Sequence, residues 1–193
     1  MGEHSESGSR TATGDEEMNN GMPLGDGGTA PTAVSKEYDA FVSYSHNADG
    51  DLAPAVQRAL QRFAKHWRQR RALEVFRDKT GLAVNPDLWA SICTAMDGSE
   101  WFVLLCSPGA AQSEWVGREI ERWTEHRDVG HLLLVVTEGT LVWDEQMGDI
   151  DFDRSTAAHR ALGGVFKAEP RHIDMSWARS ETDLTLRHRR FRD

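Results

Sequence analysis

The sequence predicts an α/β domain, a doubly wound parallel sheet of about five strands with helices on both faces. Three observations lead there. Apolar runs with the length of buried strands (Tyr38–Tyr44, Trp101–Cys106 and His131–Val136) alternate with segments of helical periodicity. The runs are continuously apolar instead of alternating with polar residues, as strands covered on both faces are. The order strand, helix, strand, helix is that of crossover units, which make parallel sheets.

Taken in order, YDAFVSY (Tyr38–Tyr44) reads as the first buried strand. Asp49 or Asp51 is placed to cap a helix running to about Trp67, with Leu52, Val56, Leu60, Phe63 and Trp67 on one stripe. Pro54 lies in the first turn, where proline is tolerated. Leu73–Phe76 is a short second strand, followed by a polar loop from Arg77 to Val84. Asn85-Pro86 then signals a helix start, with Leu88, Ile92, Ala95 and Met96 facing inward and an end near Gly98.

Trp101–Cys106 is the third strand. It meets a Ser-Pro-Gly breaker, and the chain restarts as a helix with Val116, Ile120 and Trp123 as its core stripe. His131–Val136 is the fourth strand. Past Thr137, residues Leu141–Asp153 read as acidic and irregular, Ala157–Leu162 as a short helix, and His172–Trp177 as a fifth, edge strand.

The domain is bounded at residues 36–178. Residues 1–35, rich in Gly, Ser, Thr, Asn and acids, cannot bury enough apolar surface to offset their ordering entropy and read as a disordered tail. Residues 179–193 read as a basic tail or linker.

Composition narrows the function. With 39% hydrophobic and 27% charged residues the chain has the balance of a soluble globular protein. A net charge of −9 argues against general nucleic-acid binding. No apolar run approaches the ~20 residues that span a bilayer, and residues 1–33 lack the apolar centre of a signal peptide. Cys93 and Cys106 lie in apolar segments and read as reduced and buried, which fits a cytoplasmic setting.

The most informative stretch is WFVLLCSPGAAQSEWVGREIE, Trp101–Glu121. Trp115 and Glu119 are four residues apart on the helix, so their side chains share one face beside the core stripe. An aromatic beside an acid, just past the C-terminal end of a strand, suits a nucleotide-like ligand. In doubly wound sheets that edge is where ligands bind. Three segments converge on it: Ser43–Asn47, Arg77–Leu82 and Ser107–Trp115. Loop solvation and capping are the plainer explanation of their polar residues. For Glu119 the plainer explanation is a surface acid near Arg118 and Arg122.

The ordered set YDAFVSYSHNAD, LEVFRDKTGL and FVLLCSPGAAQSEWVGREIERW resembles a Toll/interleukin-1 receptor (TIR) domain of bacterial type, over about Lys36–Trp177. The resemblance implies a flavodoxin-like fold. It also implies a signalling or defence module, as in enzymatic members that cleave NAD⁺ at the nicotinamide–ribose bond. Their products are nicotinamide and ADP-ribose or a cyclic isomer. The catalytic role falls on Glu119 and an aromatic binding role on Trp115, with Ser43, Tyr44, Ser45, His46 and Ser107 lining the substrate site. Some members have basic residues where this chain has Ser45 and His46. The loop Asp78, Lys79, Thr80, Gly81 and Leu82 is the expected contact for self-association with other TIR domains. Bacterial members often precede sensor, nucleotide-binding or WD40-repeat regions, and such a region is a further expected partner.

One carboxylate suffices for this chemistry. Ordinary glycosidases need two acids, one to protonate the leaving oxygen. Nicotinamide on ribose is already cationic and leaves neutral. NAD⁺ would be a substrate and no cofactor is expected: the chain has no G-x-G-x-x-G after the first strand and no G-x-x-x-x-G-K-[ST]. No metal is expected either. Asp149, Asp151 and Asp153 alternate like a calcium loop, but Arg154 and Arg160 stand where its glycine and closing glutamate belong. Two other classes compete with this reading. A non-catalytic TIR–TIR adaptor remains open, whereas a phosphorylated receiver fails because the third strand ends in Cys106-Ser107 and the first is followed by Ser45-His46, without aspartates.

Overall fold

The computed structural model describes the backbone of residues 37–66, 75–77 and 86–181 and the side chains of 37–61 and 88–181. The N-terminal tail at 1–35, Trp67 at the expected end of the first helix, Leu73 at the start of the second strand, the loop residues 78–85, and residues 182–193 of the basic tail expected at 179–193 lie outside the described residues, whereas Arg179 and Ser180 belong to a 3₁₀ turn.

Strand β1 (Tyr38–Ser43) leads into a one-turn helix α1 (His46–Asp49) and then α2 (Leu52–His66). Strand β2 (Val75–Arg77), helix α3 (Pro86–Asp97), strand β3 (Ser99–Cys106), the short helix α4 (Pro108–Ala111) and helix α5 (Glu114–His126) follow. Strand β4 (Leu132–Val136), a two-stranded hairpin of β5 (Trp143–Asp144) and β6 (Asp149–Ile150), and strand β7 (His172–Asp174) complete the strands. A 3₁₀ turn, Ser176–Ser180, comes after β7.

The five-stranded sheet has the order β2-β1-β3-β4-β7, and every neighbouring pair is parallel. This is the doubly wound arrangement expected from the sequence. Period-two alternation splits each central strand between two cores. Phe41, Phe102, Leu104, Cys106, Leu134 and Val136 face one way and pack with Ile92, Met96, Val116, Ile120 and Trp123 from α3 and α5. Ala40, Val42, Val103, Leu105 and Val135 face the other way, against Leu52, Ala53 and Val56 of α2. Burial on both faces is why these strands carry unbroken apolar runs.

Four details differ from the sequence reading. The Ser-Pro-Gly breaker is itself a helical turn: Ser107 caps α4 by accepting a bond from Ala110 N, and Pro108 takes the first helical position, where its missing N–H costs nothing. The acidic stretch 141–153 contains the β5–β6 hairpin, whose two-residue strands are too short to show a period. Cys93 is only half-buried, while Cys106 is fully buried, and both are free thiols. The segment expected as an edge strand from His172 to Trp177 pairs only over His172–Asp174 before turning into the 3₁₀ turn.

Candidate active site

The C-terminal ends of β1, β3 and β4 form the edge that the fold offers to a ligand. Ser43, the last residue of β1, is aligned with Leu104 of β3 and is fully buried. Helix α5 begins at this edge, with the Ser113 hydroxyl accepting from Val116 N as an N-cap. Its second turn brings Glu119 under the end of β1. There the Ser43 hydroxyl donates to Glu119 Oε2 at 2.5 Å. Glu119 is 1% exposed, so it lies within the buried seam of α5 and not on its flank as the helical spacing suggested.

Trp115 stands one turn before Glu119 on α5 and is half-buried. Its ring meets Trp89 of α3 edge-on, with centroids 5.3 Å apart. The Arg118 guanidinium covers Trp89 at 4.4 Å and Trp115 at 5.6 Å, so two indoles and a cation bridge α3 to α5.

The other residues named from the sequence take different places. Tyr44 is buried in the core on the α2 face, the opposite side of the sheet from the α5 core, and its ring lies 4.6 Å from that of His46. His46 is half-buried at the start of α1. Ser45 is 8% exposed and lies against α4: a Cβ added at Gly109 would come 3.0 Å from its hydroxyl and 2.6 Å from Ala48 Cβ. Only glycine permits α1 and α4 to approach so closely. Residues 78–82 lie outside the described residues.

Ser107 belongs to a cluster that the sequence reading missed. Its hydroxyl donates to Asp49 Oδ2 at 2.7 Å. Thr137, directly after β4, donates to Asp49 Oδ1 at 2.6 Å, and Arg179 Nη2 reaches the same oxygen at 2.7 Å. Asp49 is therefore a buried acid held by two hydroxyls and a cation, and not a helix cap. A polar residue straight after an apolar run flagged Ser43 and Ser107, and the same signal stands at Thr137. Among the described residues no group of three or more His, Cys, Asp or Glu is arranged to hold a metal ion.

A family model described as the TIR domain matches residues 40–163 of the 193. The chain belongs to the TIR-domain family. This TIR domain is 63% identical over 156 residues to a curated relative, the NAD(+) hydrolase ApTIR of Actinoplanes sp.. The match takes in 81% of this chain and 22% of that protein, so the chain spans about a fifth of its relative's length. A solved structure of the TIR domains in an activated Roq1 resistosome, which directly recognises the effector XopQ, is 19% identical. The match has a TM-score of 0.38 and covers 51% of this chain and 57% of that one. The parallel sheet order and the family match carry the fold without it. No helix among the described residues is long and apolar enough to cross a membrane.

Proposed function

We propose that this TIR domain cleaves NAD⁺ at the nicotinamide–ribose bond, with Glu119 as the catalytic carboxylate. The observation that carries the reading is the buried carboxylate at the ligand-binding edge of the sheet, held at Oε2 by the Ser43 hydroxyl. Family membership and the 63% identity to a relative named as an NAD(+) hydrolase support it.

The chemistry follows from the charge on the substrate. Breaking the glycosidic bond returns the bonding pair to the pyridinium nitrogen, which leaves as neutral nicotinamide. Positive charge then grows on the ribose. A preoriented carboxylate in a site sheltered from water stabilises that charge without reorganising at the moment of reaction. Ser43 fixes one oxygen of Glu119, leaving the carboxylate's orientation set by the fold and not by the substrate. Water then adds to the ribosyl carbon and gives up a proton, yielding ADP-ribose. If a nucleophile of the ADP-ribosyl group adds in place of water, the product is a cyclic isomer. NAD⁺ is consumed as substrate and no cofactor takes part.

Because Glu119 is 1% exposed, substrate reaches it only when the groups covering it move. Self-association is the proposed trigger for that movement. Residues 78–82 are the proposed contact and Trp115 the proposed aromatic wall; both assignments are supported by the family resemblance. Free thiols and an intracellular substrate support a cytoplasmic setting.

The test is a time course of NAD⁺ with purified protein, separated by chromatography. Nicotinamide release that rises more steeply than in proportion to protein concentration is the expected result. Release strictly proportional to protein removes the clustering part. No release at any concentration removes the enzyme and leaves an assembly module.

A further inference from the structure

The buried acid Asp49 joins four strand ends at the edge where Glu119 lies. Asp49 itself closes α1, after β1. It accepts from Ser107 after β3 and Thr137 after β4, and it pairs with Arg179 in the 3₁₀ turn after β7. Arg179 does more than neutralise the acid. Its Nε donates to Thr137 O at 3.0 Å and its Nη1 to Ala48 O at 2.9 Å, while Nη2 also lies 3.2 Å from Glu138 Oε2. The planar guanidinium thus spans the α1 turn and the end of β4 at once, which a point charge on a flexible stem would not do.

The carboxylate of Asp49 is fully buried, whereas the Arg179 side chain keeps 31% of its surface exposed. The acid is therefore the fixed member and the arginine the one that can leave. Ser107 is the link to the catalytic edge. The hydroxyl that donates to Asp49 also accepts from Ala110 N, and Ser107 O accepts from Ala111 N, so the placement of α4 depends on Asp49. Helix α4 in turn abuts Ser45 and Ala48 across Gly109.

We propose that Arg179 is a positioning residue which, acting through Asp49 and Ser107, sets the packing of α4 on α1 beside the Ser43–Glu119 pair and so governs turnover. Its effect on turnover rests on the proposed NAD⁺ cleavage, but the clasp itself does not. When the 3₁₀ turn moves away, Asp49 loses its cation, Ser107 loses its fixed partner, and the edge loosens.

Two measurements on the full chain test this. In NAD⁺ turnover, Arg179→Gln and the isosteric Thr137→Val are expected to lower kcat by about ten- to a hundred-fold with KM little changed, the cost of misplacing groups remote from the bond being broken. Thr137→Ser keeps the hydroxyl and restores turnover. The Asp49→Asn/Arg179→Gln pair falls no further than its worse member, because both act through one contact. Losses that multiply, or a rise in KM alone, overturn the positioning role. In native-state hydrogen exchange, Thr137→Val and Arg179→Gln are expected to speed exchange at the Ala110 and Ala111 amides and not at Val116, whose cap lies outside the clasp. Unchanged exchange at those two amides overturns the clasp even if the wild-type chain cleaves no NAD⁺. An inactive wild type with faster exchange in both variants upholds the clasp and sinks only the enzymatic reading.

Discussion

Ser43 and Glu119, 76 positions apart in the chain, share a buried hydrogen bond of 2.5 Å at the C-terminal edge of the sheet. The hydroxyl ends β1 and the carboxylate starts the second turn of α5. Parallel pairing of β1 with β3 brings them together. Replacing Ser43 by alanine strips a donor from a buried carboxylate, a loss of about 1–3 kcal/mol. Chemical denaturation of Ser43→Ala should show a lower midpoint with an unchanged slope, and its NAD⁺ turnover should fall alongside. An unaltered midpoint would mean that the pair contributes nothing to the fold.

Two substitutions at Trp115 separate its packing on α3 from the proposed contact with NAD⁺. Trp115→Ala removes the edge contact with Trp89 and the Arg118 stacking, and should cost about 2 kcal/mol of stability, less than for a fully buried tryptophan. Trp115→Phe keeps a ring against Trp89. If the indole also lines the NAD⁺ site, the phenylalanine variant melts near the wild type yet shows a raised KM. Wild-type KM in a stable Trp115→Phe protein would confine Trp115 to the α3–α5 contact.

His159 gives stability a pH dependence of known sign. Burial holds its imidazole below its ordinary value of 6.5, with Glu121 and the Ser113 backbone opposing weakly. The unfolded chain therefore binds the proton more readily than the folded one, so stability is full above about pH 6.5 and falls as pH drops through the folded value. Nδ1 accepts from Ala161 N, a cap that asparagine can imitate. Melting temperatures of His159→Asn between pH 5 and 7.5 should decline less on acidification than those of the wild type. Parallel curves would exclude His159 as the source.

The thiols should differ in reactivity. Burial pushes Cys106 up to about 12 and also raises Cys93, but only Cys93 is within partial reach of solvent. Mass spectrometry after iodoacetamide treatment should find Cys93 modified slowly in the native protein and Cys106 only after denaturation. Early labelling of Cys106 would show that the β3 edge opens in the native state.

What the sequence made legible was local. Buried strands declared themselves by unbroken apolar runs, and the i, i+4 placement of Trp115 and Glu119 followed from helical geometry. Long-range pairing was not legible. Asp49 looks like a cap in sequence because an acid before an amphipathic segment usually is one. Its actual partners stand 58, 88 and 130 positions away, and only the folded sheet brings them together. Tyr44 follows Ser43 directly, yet period two sends them to opposite faces. Helical spacing alone puts Glu119 on the rim of α5. Ser43 draws it into the seam, since a buried carboxylate must find a donor.

The most direct test compares wild type with Glu119→Gln, which keeps the side chain's shape and removes its charge. NAD⁺ loss and nicotinamide release would be followed by chromatography at matched concentration, with melting curves recorded on the same samples. The expected result is a folded variant whose turnover falls by about 10²–10³-fold, as when one preorganised electrostatic group is removed from an active site. A folded Glu119→Gln protein that consumes NAD⁺ as fast as the wild type would contradict it.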